Sequence, residues 1–411
     1  AAMGEASERF GTLPFAQLLE PAIALAEEGV PIDASAQGFF NGPVYASLAA
    51  DFPALAGMFG PPGGWTLGHR LKQPMAARSL RVLARDGWRA FYEGPLADAW
   101  LAAGRTAGIL LDQGDLAGHR TGFAPSLSIS WRGQRVHAAP PNSQGLALLA
   151  MLRLAELEGG GGAPDGSDPL LDPATHLARK VRAFALRDAY CADPRRIALP
   201  QDLLEPGRLA ATGPGIAGAA MARSGGGDTS TFVVVDRHGA AVSWVQSLFE
   251  EFGSGVAIAD HGIVLHNRAA LERLDDDPVH GLRGGYRPFH TLCPALATGP
   301  EEGAVAAIAT PGDHGQPQTL ALVLRRLVEQ GLDIQAATEW PRLRHDTGTD
   351  VMLEDRCPAS WDEALARAGW APRRVGPWSR LMGGVNAIVR RSDGLAMGGA
   401  DPRRSSYALA A

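Results

Sequence analysis

Hydrophobic and polar positions recur along this chain with two different periods, and the points where the period changes predict its elements. Between residues 13 and 30, apolar side chains fall at helical spacing (Phe15, Leu18, Leu19, Ile23, Ala24, Leu25), with Pro21 fixing a boundary or a kink. Lys72 to Asp86 and Leu96 to Ala107 read as further helices, the second limited by Gly104 and Gly108. From Leu127 to His137 the pattern alternates with period two, which predicts a strand pair about Arg132-Gly133. A glycine-rich loop, Gly159 to Ser167, precedes a helix through His176 to Asp188, whose charges (His176, Arg179, Lys180, Asp188) are expected to form a solvated face. An apolar strand over 304–310 then enters Pro311-Gly312-Asp313-His314-Gly315, and Gln318 to Gln330 reads as a helix. A strand, a glycine turn and a helix start in that order present backbone N–H groups to an anion.

Two further strand-like runs flank a short turn. Residues 229–235 and 240–247 form them about Asp236-Arg237-His238-Gly239, where Asp opens the turn and Gly supplies a positive φ. If Gly239 is a bulge, residue 236 faces 240, and counting outward places Thr229 opposite Ser247. A slip of one residue would substitute Gln246 and reverse the face. Ahead of Thr229 lies a tether, Ser224-Gly225-Gly226-Gly227-Asp228, at the end of a linker from Leu203 to Gly227. Glycine gives such a segment the freedom to move away once cut. Cleavage of the Asp228-Thr229 bond would make Thr229 a new N-terminus, whose own α-amino group can act as base for its hydroxyl. Without cleavage, Thr229 merely opens a strand, as β-branched residues commonly do.

The segment Gly227-Asp228-Thr229-Ser230-Thr231-Phe232-Val233-Val234-Val235-Asp236, with Phe252-Gly253-Ser254-Gly255 after it, resembles the processing site and small subunit of the γ-glutamyltransferases. Arg287-Pro288-Phe289-His290-Thr291, Thr310-Pro311-Gly312, Gly315-Gln316-Pro317-Gln318 and Gly399-Ala400-Asp401-Pro402-Arg403 follow in that family's order. Upstream, Arg9-Phe10-Gly11-Thr12, Phe91-Tyr92-Glu93-Gly94 and Pro140-Pro141-Asn142-Ser143-Gln144-Gly145 are similar to its large subunit. The resemblance implies an α+β fold, a four-layered αββα sandwich of the N-terminal-nucleophile hydrolase type. It also implies one precursor cut before Thr229, with residues 1–228 as the large-subunit part and 229–411 as the small subunit. The family's N-terminal segment, with a first strand and an arginine for the donor carboxylate, is not matched here; a shortened chain and a naturally short member both remain open.

By that resemblance Thr229 is the nucleophile, Ser247 supports its hydroxyl, and the backbone N–H groups of Gly312 and Asp313 receive the oxyanion. The family usually has Gly-Gly where this chain has Gly312-Asp313, and the Asp side chain is expected to face away. Asn267, Arg268, His290, Thr291 and His314 are the substrate-binding candidates. Each has a plainer reading, such as a surface salt bridge for Arg268 or a core histidine for His290. Within the family, Ser243-Trp244-Val245-Gln246-Ser247 resembles a branch that includes oxamate amidohydrolase. His266-Asn267-Arg268 and Leu271 replace the segment that holds a glutamate ammonium group, and His290-Thr291 replaces the serine pair for its carboxylate. An apolar Leu offers an ammonium group no acceptor. The expected activity is hydrolysis of a small acidic amide through a Thr acyl-enzyme. The alternatives are γ-glutamyl transfer or glutathione hydrolysis, and a non-catalytic binding or assembly protein of the same fold.

Composition narrows the partners. With 411 residues, 45% apolar and 20% charged content, the chain is that of an ordinary globular protein. A net charge of −6 gives no footprint for nucleic acid, and no run of about 18 apolar residues is present to span a membrane. Cys191, Cys293 and Cys357 lie far apart without metal-ligand spacing and are expected to be reduced. No metal or organic cofactor is expected. The expected partners are a small-molecule amide and the two fragments of one precursor; a homodimer would be compatible. A cytoplasmic location is expected, or a periplasmic one if an N-terminal signal precedes this chain.

Overall fold

The computed structural model describes residues 1–159, 162–211, 227–301, 303 and 305–410. They form two compact units, one of residues 1–124 and 251–267, the other of residues 125–250 and 268–411. The predicted cut therefore lies inside the second unit. Ser224 to Gly226 of the expected tether lie outside the described residues.

The first unit is largely helical. Helices run over Phe15–Glu28, Pro74–Asp86 and Pro95–Thr106, as the periodicity predicts, with Pro21 inside the first. The last two begin with proline, whose missing N–H costs nothing at a helix start. Phe40, Tyr45, Leu55 and Trp65 form one small core, against which Phe252 packs.

A six-stranded antiparallel sheet organises the second unit, in the order Ala396–Ala400, Asn386–Arg390, Val305–Ala309, Ala295–Thr298, Gln134–Ala138, Leu127–Trp131. Every residue of Val305–Ala309 is buried, which an antiparallel strand shows only when both sheet faces are covered. Helices Gly145–Leu157, Pro173–Tyr190 and Gln316–Val328 pack together, and their Leu146, Leu149, Phe184 and Leu320 share a core with Ile129, Val136, Ala306 and Ile308 of the sheet. The hairpin Gly227–Val235 and Ala241–Glu250 lies against the central strands, where Ser243 Oγ donates to the Ile308 carbonyl at 2.8 Å. Helices, sheet and a second sheet thus stack in the layered α+β order expected.

One expectation is overturned. On Pro173–Tyr190 the charges are buried, not solvated: His176, Arg179 and Lys180 are 3%, 5% and 2% exposed. The helix lies within the layer, and Arg179 and Lys180 are bonded to neighbours. Arg179 pairs with Glu158 at 2.8 Å, and Lys180 Nζ lies 3.1 Å from both His345 Nδ1 and the Asp346 carbonyl.

Near the C-terminus, Arg342, Glu354, Asp401 and Arg403 form a buried ion-pair cluster. Asp401 meets Arg342 at 2.7 Å and Arg403 at 3.0 Å, and it also accepts the Val385 N–H at 2.9 Å. Removing one member leaves an uncompensated buried charge. Asp401→Ala is expected to lower unfolding stability by about 3 kcal/mol, read from a urea titration.

Candidate active site

The turn sets the register on which the site depends. Asp236 Oδ1 accepts the His238 and Ala240 N–H groups at 2.8 and 2.9 Å, and Gly239 takes φ +90°. From there Val235 pairs with Ala241, and the ladder continues to Thr229 opposite Ser247, as counting from the turn predicts. Phe232 stacks on its partner Trp244 with ring centroids 5.8 Å apart, a cross-strand pair that holds the register. On the inner face, Asn386 Nδ2 donates to the Thr231 carbonyl and hydroxyl at 3.0 and 2.9 Å. The strand is therefore anchored two residues from Thr229.

Just past this pair the ladder breaks. Thr229 faces Ser247 while Asp228 faces Phe249, so Leu248 is an extra residue and the strand bulges. Phe249 takes φ +83°, a conformation rare for an aromatic residue. Its N–H donates to Ser247 Oγ at 2.8 Å, and the Thr229 hydroxyl donates to the same oxygen at 3.1 Å. Ser247 thus acts as an acceptor toward Thr229, which raises the electron density on the Thr oxygen. Thr229 is buried, at 8% exposure.

The bulge also carries the cation. Phe249 is 2% exposed, and the guanidinium of Arg268 lies 4.7 Å from its ring centroid. Arg268 Nη1 donates to Thr291 Oγ1 at 3.1 Å. At 6% exposure Arg268 is no surface salt bridge. Burial pulls its pKa down to about 10, against the opposing charge of Asp313, so it stays protonated at neutral pH. Leu271, at the end of the same short turn, belongs to the main core.

At the end of strand Val305–Ala309, Gly312 takes φ +120° and Asp313 φ +48°. Asp tolerates the left-handed region better than most residues. The Asp313 side chain is buried, and its negative charge acts on Arg268. Gly315 N donates to the Gly312 carbonyl at 2.7 Å. Since that peptide is trans, the Asp313 N–H points the opposite way.

Gln144, unremarked within its sequence motif, joins these parts. Its amide nitrogen donates to the carbonyls of Thr291 and Asp313 at 2.5 and 2.7 Å. Arg187 Nη1 donates to Gln144 Oε1 at 3.3 Å and to His314 Nδ1 at 3.0 Å. His314 is held well below its ordinary pKa by burial and by Arg187, and is neutral. His290 is pushed down to about 3 by burial, Arg268 and Arg287, so it too is a neutral ring. Its backbone N–H donates to the Asn142 carbonyl at 3.0 Å. Asn267 belongs to the first unit.

Thr229, Ser247, Phe249, Arg268, Thr291, Gln144 and Asp313 therefore form one continuous chain of contacts. Phe249, Arg187 and Gln144 were not singled out by sequence. The only signal for Gln144 was its place in Pro140 to Gly145; the bulge at Leu248 had none. Among the described residues no group of three or more His, Cys, Asp or Glu could hold a metal ion, and no helix is long and apolar enough to cross a membrane.

The model of the family described as Gamma-glutamyltranspeptidase matches residues 1–411. The chain is 35% identical over 416 residues to the oxamate amidohydrolase proenzyme of Klebsiella pneumoniae subsp. pneumoniae, across 96% of this chain and 76% of that protein. It is 33% identical to the glutathione hydrolase-like YwrD proenzyme of Bacillus subtilis, across 98% and 78%. Its structure is similar to a cephalosporin acylase from Bacillus halodurans, with a TM-score of 0.86 and 28% identity, across 99% of this chain and 76% of that one. The fold is of the N-terminal-nucleophile hydrolase type, and the chain belongs to the gamma-glutamyltranspeptidase family.

Proposed function

We propose that this chain is the precursor of a self-processing amidohydrolase that hydrolyses the amide of a small acidic acyl donor, with Thr229 as nucleophile. The observation that carries the reading is the Thr229 hydroxyl donating to Ser247 at 3.1 Å, at the first regular pair after the bulge. Relatives named as proenzymes support it. In maturation, Thr229 Oγ attacks the Asp228 carbonyl carbon, the C–N bond of the peptide breaks, and an ester joins Asp228 to Thr229. Water hydrolyses that ester, leaving the Asp228 carboxylate and a free Thr229 amine. The products are residues 1–228 and 229–411.

In turnover the free amine takes the proton of the Thr229 hydroxyl as its oxygen adds to the substrate amide carbon. The oxyanion is received by the N–H groups of Gly312 and Asp313. The amine or ammonia leaves with a proton, and water cleaves the acyl-enzyme to the carboxylate. Arg268, with Thr291 beside it, supplies the cation for the acidic end of the donor. The acyl group is oxamate-like, meaning a carboxylate close to the scissile carbonyl. The three buried free thiols fit a reducing, cytoplasmic compartment.

Two tests bear on specificity. Leu271 lies in the core and offers no acceptor, so leaving a donor ammonium group there would go uncompensated. Small acidic amides should therefore exceed γ-glutamyl anilides in kcat/KM, and efficient γ-glutamyl turnover would return the protein to the transferase reading. Arg268→Lys and Arg268→Ala should leave self-cleavage intact yet weaken kcat/KM on acidic amides by about 1 to 3 kcal/mol. Wild-type turnover of acidic amides by both variants would place the anion site elsewhere.

A further inference from the structure

Gln144 occupies an unusual position for a core side chain. It is fully buried, at 0% exposure, at the start of helix Gly145–Leu157, and it belongs to residues 1–228. Both carbonyls it holds, those of Thr291 and Asp313, belong to residues 229–411. After cleavage it would be a non-covalent clasp between the fragments.

Asp313 sits at φ +48°, where a residue with a Cβ is strained and needs support from both sides. The peptide before it is fixed by Gly315 N on the Gly312 carbonyl at 2.7 Å. The peptide after it is fixed through the Asp313 carbonyl, which accepts from Gln316 N and, at 2.7 Å, from Gln144. Gln144 ties that carbonyl to Thr291, the residue that meets Arg268. Arg187 orients the amide by donating to Oε1, so the nitrogen end must face the two carbonyls.

We infer that Gln144 is a positioning residue: it holds the left-handed turn at Asp313 in the orientation that aims its N–H at the oxyanion, and sets that turn at a fixed distance from the Arg268–Thr291 pair. This rests on the reading of Thr229 as the nucleophile. A donor aimed at a developing oxyanion acts on the transition state more than on the bound substrate, so its misalignment falls on kcat.

The test uses full-length Gln144→Met, which keeps the length and loses the donors, and Gln144→Glu, which keeps a partner for Arg187 and reverses the nitrogen end. For both we expect normal conversion to 1–228 and 229–411, a Tm lowered by the loss of buried hydrogen bonds, kcat lower by about tenfold or more, and KM nearly unchanged. Wild-type kcat in either variant, or a kcat loss accompanied by failed processing or by a comparable rise in KM, would make Gln144 a structural residue only and overturn the inference. The wild-type control separates the two levels: a wild-type chain that neither cleaves before Thr229 nor hydrolyses amides would sink the underlying reading, whatever the variants do.

Discussion

Thr229→Ala is expected to yield a single uncleaved chain with no amide hydrolysis. In the proposed maturation the Thr229 hydroxyl attacks the Asp228 carbonyl, and without that step no free amine would appear at residue 229. Thr229→Ser keeps the oxygen and the contact with Ser247 but loses the methyl that restricts its rotamers. It should cleave and turn over, more slowly. The effect of the alanine is expected to be total, since in the proposed mechanism both reactions pass through one oxygen atom. Denaturing gels and ammonia release measure them separately, and cleavage or activity surviving in Thr229→Ala would assign the chemistry to another group.

Mild acid is expected to destabilise the second unit sharply. His176 and His290 are pushed down to about 3 and His345 to about 4, each chiefly by burial, and His314 is lowered further by burial beside Arg187. In the unfolded chain these rings titrate near 6.5, so below that pH the unfolded state binds protons that the folded state refuses. Stability is then fully present above about pH 6.5 and is lost as pH falls toward the folded values. Between pH 7.5 and 5.5 the loss is on the order of 1 kcal/mol for each of His176, His290 and His345, and His314 adds to it in the same direction. Lys180, lowered to about 7 by burial and Arg187, acts in the same direction at higher pH: its contribution is lost as pH falls from the ordinary lysine range to about 7 and changes little below that. Urea titrations at the two pH values test this. Equal stability at both would mean that these rings are charged or solvated in the folded protein.

Legibility in the sequence followed the range of the interactions involved. The hairpin register could be counted from the turn because Asp236 and Gly239 fix it locally, and each later pair follows from the one before. The helices that the periodicity predicts were legible for the same reason, within three residues at their ends, but Gly145–Leu157, apolar all round, gave no such period and was not predicted. What escaped was set by distant partners. The charges of Pro173–Tyr190 looked solvated because a one-dimensional pattern does not show Glu158, His345 or Asp346 closing over them. Arg268 could be proposed as an anion site from its family position, yet its seat over Phe249 depends on a bulge that no turn residue announces. Gln144 carried no periodic or charge signal, since its role lies in two carbonyls 147 and 169 residues away along the chain.

The buried setting of the site has a chemical consequence. Thr229, Arg268, Asp313 and His314 are each less than 9% exposed, so in the proposed reaction charge developing there would meet fixed groups with little reorganisation of solvent. Arg268, pulled down to about 10 by burial, keeps its proton over the neutral pH range, which the proposed role as cation for an acidic donor requires.

The most direct test of the central claim is intact-mass analysis of the purified wild-type chain before and after a brief reaction with a slowly hydrolysed acidic amide. We predict two masses, those of residues 1–228 and 229–411, with the acyl group appearing transiently on the second alone and mapping to Thr229. A single uncleaved mass in a sample that hydrolyses the amide, or an acyl group carried by the first fragment, would contradict it.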